Sequence, residues 1–171
     1  IRQNTIYAGG MAGEINEALI SNVTLKLSIG INANDATIYV GGIAGKMSGG
    51  LDEVNTVKYD GNQGSWIIQS NSSHKIYTGL VSGLGTNVYV NSFDVDTSGL
   101  SIDISNFRTG NYNTNIDIYA GNLFGYLDIT KNTRINNIHF NGNQKQTLYA
   151  SINIGNAYIG GLIGYAHANA S

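Results

Sequence analysis

The chain has no cysteine and no proline. Without cysteine there are no disulfides, no thiol nucleophile and no Cys-based metal site. Without proline, no strand loses a backbone donor, which suits uninterrupted sheet ladders. Charge is sparse as well: Asp, Glu, Lys and Arg make up 12% of the residues, and the formal net charge is -2. No basic block is present, which argues against nucleic acid or an anionic membrane surface as an electrostatic partner. No apolar run approaches the roughly 20 residues needed to cross a bilayer, so no direct membrane insertion is expected. No secretion signal is visible and the chain opens on Ile1. It therefore reads as an internal or processed piece of a longer protein.

Glycine and asparagine fill the space, at 23 residues each among 171, and hydrophobic residues reach 42%. That share is enough for a core and too high for a disordered segment. The glycines fall in a repeated motif. Ile38-Tyr39-Val40-Gly41-Gly42-Ile43-Ala44-Gly45 has close copies in Ile6-Tyr7-Ala8-Gly9-Gly10-Met11-Ala12-Gly13 and Ala157-Tyr158-Ile159-Gly160-Gly161-Leu162-Ile163-Gly164. Looser copies are Ile76-Tyr77-Thr78-Gly79-Leu80-Val81-Ser82-Gly83 and Ile118-Tyr119-Ala120-Gly121-Asn122-Leu123-Phe124-Gly125. Copies starting at residues 6, 38, 76, 118 and 157 recur every 32 to 42 residues or so, a period that marks stacked repeats. A helix is a poor reading, because each Gly costs about 1 kcal/mol relative to Ala inside one. The motif reads as a strand entering a corner, where glycine permits positive φ or close backbone approach. The corner residues are Gly9, Gly10, Gly13, Gly41, Gly42, Gly45, Gly79, Gly83, Gly121, Gly125, Gly160, Gly161 and Gly164.

A second element follows each of the first four anchors: Ile20-Ser21-Asn22-Val23-Thr24-Leu25, Leu51-Asp52-Glu53-Val54-Asn55, Val90-Asn91-Ser92-Phe93-Asp94-Val95 and Ile135-Asn136-Asn137-Ile138-His139-Phe140. Its paired polar residues suit a bend, and its alternating half suits a strand buried on one face. A third apolar segment precedes the next anchor, as in Leu25, Leu27, Ile29 and Ile31, or Trp66-Ile67-Ile68. The expected fold is all-β: a right-handed parallel β-helix (β-solenoid) over residues 1–171, with about five repeats and roughly three short strands per turn. Tyr7, Tyr39, Tyr77, Tyr119 and Tyr158 then form one column, expected to point outward as an exposed aromatic ladder that stiffens the sheet or binds. Residues 106–115 and 60–73 are expected to be loop insertions that make contacts.

Anchor and linking element together resemble the GLUG repeat, whose usual form is apolar-Gly-Gly-Leu-apolar-Gly followed by an Ile-x-Asn-like element. Tyr158-Ile159-Gly160-Gly161-Leu162-Ile163-Gly164-Tyr165 matches that core fully, and Val40-Gly41-Gly42-Ile43-Ala44-Gly45 nearly so; Ile20-Ser21-Asn22 and Ile135-Asn136-Asn137 match the linking element. The third and fourth copies depart, with Leu80 and Asn122 at the second glycine. The resemblance implies a bacterial surface or secreted protein, adhesin-like, in which such repeats are accessory or structural. Autotransporter passengers, adhesive or toxic, share the β-helix architecture.

Chemistry-bearing residues are scattered. His74, His139 and His167 lie in different repeats without metal-ligand spacing. Asp94 and Asp96 sit on one side of a strand, with Asp103 nearby in sequence, but lack the dense Asp/Gly pattern of calcium-binding repeats. Asp52 and Glu53 are adjacent and so point to opposite faces, wrong for paired acid–base work. The sequons at Asn22, Asn71 and Asn169 are expected by chance in so Asn-rich a chain. No catalytic, cofactor or metal residue is assigned. The expectation is a non-enzymatic adhesive or structural segment, facing a host or cell-surface glycan or protein. The alternatives are a self-assembling filament, sheath or appendage component, or a β-helical passenger or toxin segment.

Overall fold

The computed structural model describes residues 4–71, 74–107, 116–142, 145–153 and 155–168, and all regular structure among them is β-strand. The first turn holds β1 (Asn4–Gly9), β2 (Ala12–Ile15), β3 (Leu19–Leu25) and β4 (Ile29–Ala33). The second holds β5 (Ala36–Gly41), β6 (Ala44–Met47), β7 (Asp52–Asp60) and β8 (Ser65–Ser70). The third holds β9 (Ile76–Gly79), β10 (Ser82–Thr86), β11 (Val88–Asp96) and β12 (Ser101–Asn106). The fourth holds β13 (Ile116–Gly121), β14 (Phe124–Ile129), β15 (Arg134–Asn141) and β16 (Thr147–Ile152), and β17 (Gly155–Gly160) with β18 (Ile163–Ala168) begins a fifth. Equivalent strands pair in parallel into two five-stranded and two four-stranded sheets, making a parallel β-solenoid.

Each turn thus carries four strands where the sequence pattern suggested about three. The difference lies in the anchor, which is two strands meeting at the glycine corner rather than one strand entering it. The copies align residue for residue: Ile6, Ile38, Ile76, Ile118 and Ala157 form one ladder and Gly9, Gly41, Gly79, Gly121 and Gly160 another, the central pair joined through the flanking register. The anchor glycines, Gly161 excepted, work by close approach, not by positive φ, which among described glycines occurs only at Gly49, Gly99 and Gly155. That explains how Leu80 and Asn122 replace the second glycine: neither position needs the left-handed region.

The linking element in the second turn sits three residues later than its sequence pattern suggested. Val54 pairs with Ile20 and Val90, so the second copy is Val54-Asn55-Thr56-Val57 rather than the stretch beginning at Leu51. The bend is a left-handed residue in every turn: Asn22, Thr56, Ser92 and Asn137, with φ between 52° and 63°. The expected 60–73 insertion is not one loop, since 65–70 form β8; residues 72 and 73 lie outside the described residues. The 106–115 segment lies outside the described residues beyond 107.

Inward columns build a single core. Val54, Val90, Trp66, Ile102, Ile68 and Ile104 are all essentially buried. Trp66 donates its indole N–H to the Tyr59 hydroxyl at 2.8 Å, and that hydroxyl donates to the Leu27 carbonyl at 3.2 Å. The buried polar edges are thereby satisfied within the core. Phe124 lies over Gly85, where a Cβ would come within 2.7 Å of the ring, so a large residue in one turn fills the space left by a small one in the previous turn.

Candidate functional surfaces

Two outer surfaces bring functional groups together. The first is aromatic. Ile38 and Val40 face the core, so alternation places Tyr39 on the other side of β5, and the same holds in each turn. Tyr7, Tyr39, Tyr77, Tyr119 and Tyr158 stack with centroid separations of 5.1, 4.7, 4.8 and 5.0 Å. The last three pairs lie within 7° of parallel. Tyr126 and Tyr165 form a second short column on the adjacent sheet, stacked at 5.2 Å and edge-on to Tyr119 at 5.6 and 5.9 Å. Offset and edge-on pairs at these separations are the attractive arrangements of aromatic rings.

The column is not the exposed ladder that strand alternation implied. Tyr7 at the end is 39% exposed, but Tyr77 and Tyr119 keep only 8% and 7%. Their ring faces are covered by the turns above and below and their edges by Tyr126. Burial is the main cause that pushes the phenols of Tyr39, Tyr77 and Tyr119 above their ordinary range, with the neighbouring rings adding to it; beside Tyr119 the Asp117 carboxylate acts in the same direction. Cations flank the stack. Lys46 Nζ lies 5.6 Å from the Tyr7 centroid and pairs with Glu14 at 2.7 Å. Lys75 Nζ lies 5.7 Å from the Tyr119 centroid and 4.0 Å from Asp117 Oδ2. The hydrogen bond between Glu14 and Lys46 is the largest cause that lowers the Glu14 carboxyl and raises the Lys46 ammonium.

The second surface is a shallow groove of about 430 Å³ on the outer face of the third sheet, the one built from β3, β7, β11 and β15. Thr24, Lys58, Asp60, Asp94, Asp96 and Asn141, drawn from four successive turns, are among its lining residues. Register brings Lys58 opposite Asp94, and Asp60 opposite Asp96. Asp60 accepts from Lys26 at 3.0 Å and from the Asn62 N–H at 3.0 Å, which hold its carboxyl below the ordinary range. Asp96 accepts from the Ser98 N–H at 2.9 Å. The Lys58 and Asp94 side chains make no hydrogen bond or ion pair among the described residues, so both are available to a ligand.

The other candidates stay apart. His74 faces Asp35 at 3.0 Å and His167 faces Asp128 at 3.3 Å, while His139 pairs in register with Asp94 on the third sheet. Asp103 belongs to the fourth sheet, away from Asp94 and Asp96. Asp52 is buried and Glu53 half-exposed, on opposite faces of β7. No group of three His, Asp or Glu that could hold a metal ion occurs among the described residues. Asn22 lies within β3; Ser72 and Ser73 of the second sequon, and the third sequon at 169–171, lie outside the described residues. Sequence reasoning missed Tyr126 and Tyr165. The available signal was a shared spacing, since each follows its column tyrosine, Tyr119 or Tyr158, at the same distance.

Comparisons with family profiles, with characterised proteins and with solved structures return no match.

Proposed function

We propose that this chain is a non-enzymatic β-solenoid segment of a bacterial surface or secreted protein, with its outer faces used for binding. The observation that carries the reading is the groove on the third sheet, where Lys58 and Asp94 have no partner among the described residues and stand beside Thr24, Asp96 and Asn141. Groups on successive turns recur at the spacing of neighbouring strands, about 4.8 Å. An extended ligand lying along the solenoid axis therefore meets a hydrogen-bonding group at each turn. The ligand class is a host or cell-surface glycan or an extended protein segment, held by many individually weak bonds. The fourth sheet adds a nearly uncharged face, with Asp103 the one charged residue in its strands and Ser65, Ser101 and Thr147 in register. The GLUG-like anchors support the placement at a bacterial surface.

The test is an array of glycans and extracellular-matrix proteins probed with the whole chain and with a Lys58→Ala/Asp94→Ala variant. Binding that weakens about tenfold in the variant, near 1.4 kcal/mol, is the expected result. Conversion of any arrayed glycan to product, or equal binding by both proteins, overturns it.

A further inference from the structure

We propose that the tyrosine column is redox-active: it takes one oxidising equivalent from a one-electron oxidant and holds it as a neutral radical on Tyr119, whose phenolic proton passes to Asp117. The inference is independent of the binding role.

A phenol stripped of one electron is a strong acid, so the vacancy settles where a base stands within hydrogen-bond reach. Of the five column hydroxyls, only that of Tyr119 has a hydrogen-bond partner among the described residues: it donates to Asp117 Oδ2 at 3.2 Å. The base is held in place. Asp117 is largely buried, and its Oδ1 accepts from the Asn156 backbone N–H at 3.1 Å and from Asn156 Nδ2 at 3.3 Å. Oδ2 is left facing the phenol, with Lys75 Nζ 4.0 Å away. Asp117 thus serves neither as a surface charge nor as one half of a tight ion pair.

The route in is the stack itself. Tyr7 is open to solvent, and rings 4.7 to 5.1 Å apart lead from it through Tyr39 and Tyr77 to Tyr119. The oxidant, of the class of peroxyl radicals or photogenerated high-valent metal complexes, gains one electron. Tyr119 supplies that electron through the intervening rings. Its O–H bond breaks, an O–H bond forms at Asp117 Oδ2, and no other bond changes. Burial of Tyr119 then shields the radical from coupling to another molecule.

The experiment is flash photolysis of the whole chain with tris(bipyridine)ruthenium and a sacrificial acceptor, following the tyrosyl absorption band and its electron paramagnetic resonance signal. Asp117→Asn keeps the shape of the side chain and removes the base, and is expected to slow radical formation about a hundredfold. Tyr149→Phe, in the fourth sheet, is expected to leave the signal unchanged. In the wild-type protein, deuterated water slows formation if proton and electron move together, a readout that needs no variant to fold. An equal rate in Asp117→Asn of native circular dichroism, the absence of a solvent isotope effect, or loss of the signal in Tyr149→Phe would each overturn the proposal and leave the column a purely mechanical feature.

Discussion

Asp52 sits on a strand position that the next turn fills with an apolar residue, Val88. It is fully buried, its Oδ1 accepts the Ala18 N–H at 2.9 Å, and its Oδ2 has no partner among the described residues. Burial raises its carboxyl above the ordinary range, and the Ala18 N–H offsets only part of that. The folded state therefore binds a proton more tightly than the unfolded chain, and the linked stability declines as pH rises from the ordinary Asp value, about 3.9, through the raised folded value. Asp52→Asn keeps an acceptor for Ala18 and carries no charge. Denaturant titrations across a pH series are expected to show the wild-type protein losing stability relative to this variant through that window and levelling off above it. A difference that grows in favour of the wild type as pH rises would contradict the assignment. The left-handed bend is a second residue-scale feature: Asn22 and Asn137 tolerate it, whereas Thr56, branched at Cβ, is strained by it.

At the scale of the element, the third glycine of each anchor brings two strands together. A Cβ on Gly45 would stand 2.6 Å from the Tyr39 carbonyl oxygen, and one on Gly125 2.5 Å from that of Tyr119. Since the obstacle is backbone, no side chain can yield. Gly45→Ala is expected to cost about 3 kcal/mol or more, in the upper range of overpacking. Gly30, in β4, meets nothing within 4 Å, so Gly30→Ala should instead stabilise by about 0.5–1 kcal/mol through a less flexible unfolded chain. Thermal unfolding of the two variants side by side separates corner glycines from incidental ones; equal shifts would refute the close-approach account.

At the scale of the molecule, the stack is short. Four steps between turns at about 4.8 Å give a height near 20 Å, similar to the length of a six-residue strand. A rod that projects far from a surface therefore needs more turns than the described residues hold. Because each turn pairs only with its neighbours, stability is close to a sum over turns and their interfaces. Deleting residues 36–73 places Ile76 where Ile38 stood and keeps the order of the four sheets. That deletion is expected to leave a folded β protein with a lower melting temperature. Deleting only 36–47, which removes β5 and β6 and breaks the order, should abolish cooperative unfolding. Circular dichroism melts decide between these outcomes, and a folded half-turn deletion would contradict the stacking model.

The repeats were legible in the sequence because each carries its own local constraint: glycine where two backbones touch, and apolar residues at alternate positions where a strand faces the core. The Tyr column and the ladder of anchor copies could be read from spacing alone, before any coordinate. The linking element in the second turn could not, because Leu51 and Val54 both satisfy an apolar-polar-polar pattern. Only the pairing of Val54 with Ile20 and Val90 chose between them. The split of each anchor into two strands, the burial of Tyr77 and Tyr119, and the meeting of Asp117 with Asn156 also came from the tertiary structure. Each depends on groups from different turns, whose separation in space is set by ladder register and not by distance along the chain.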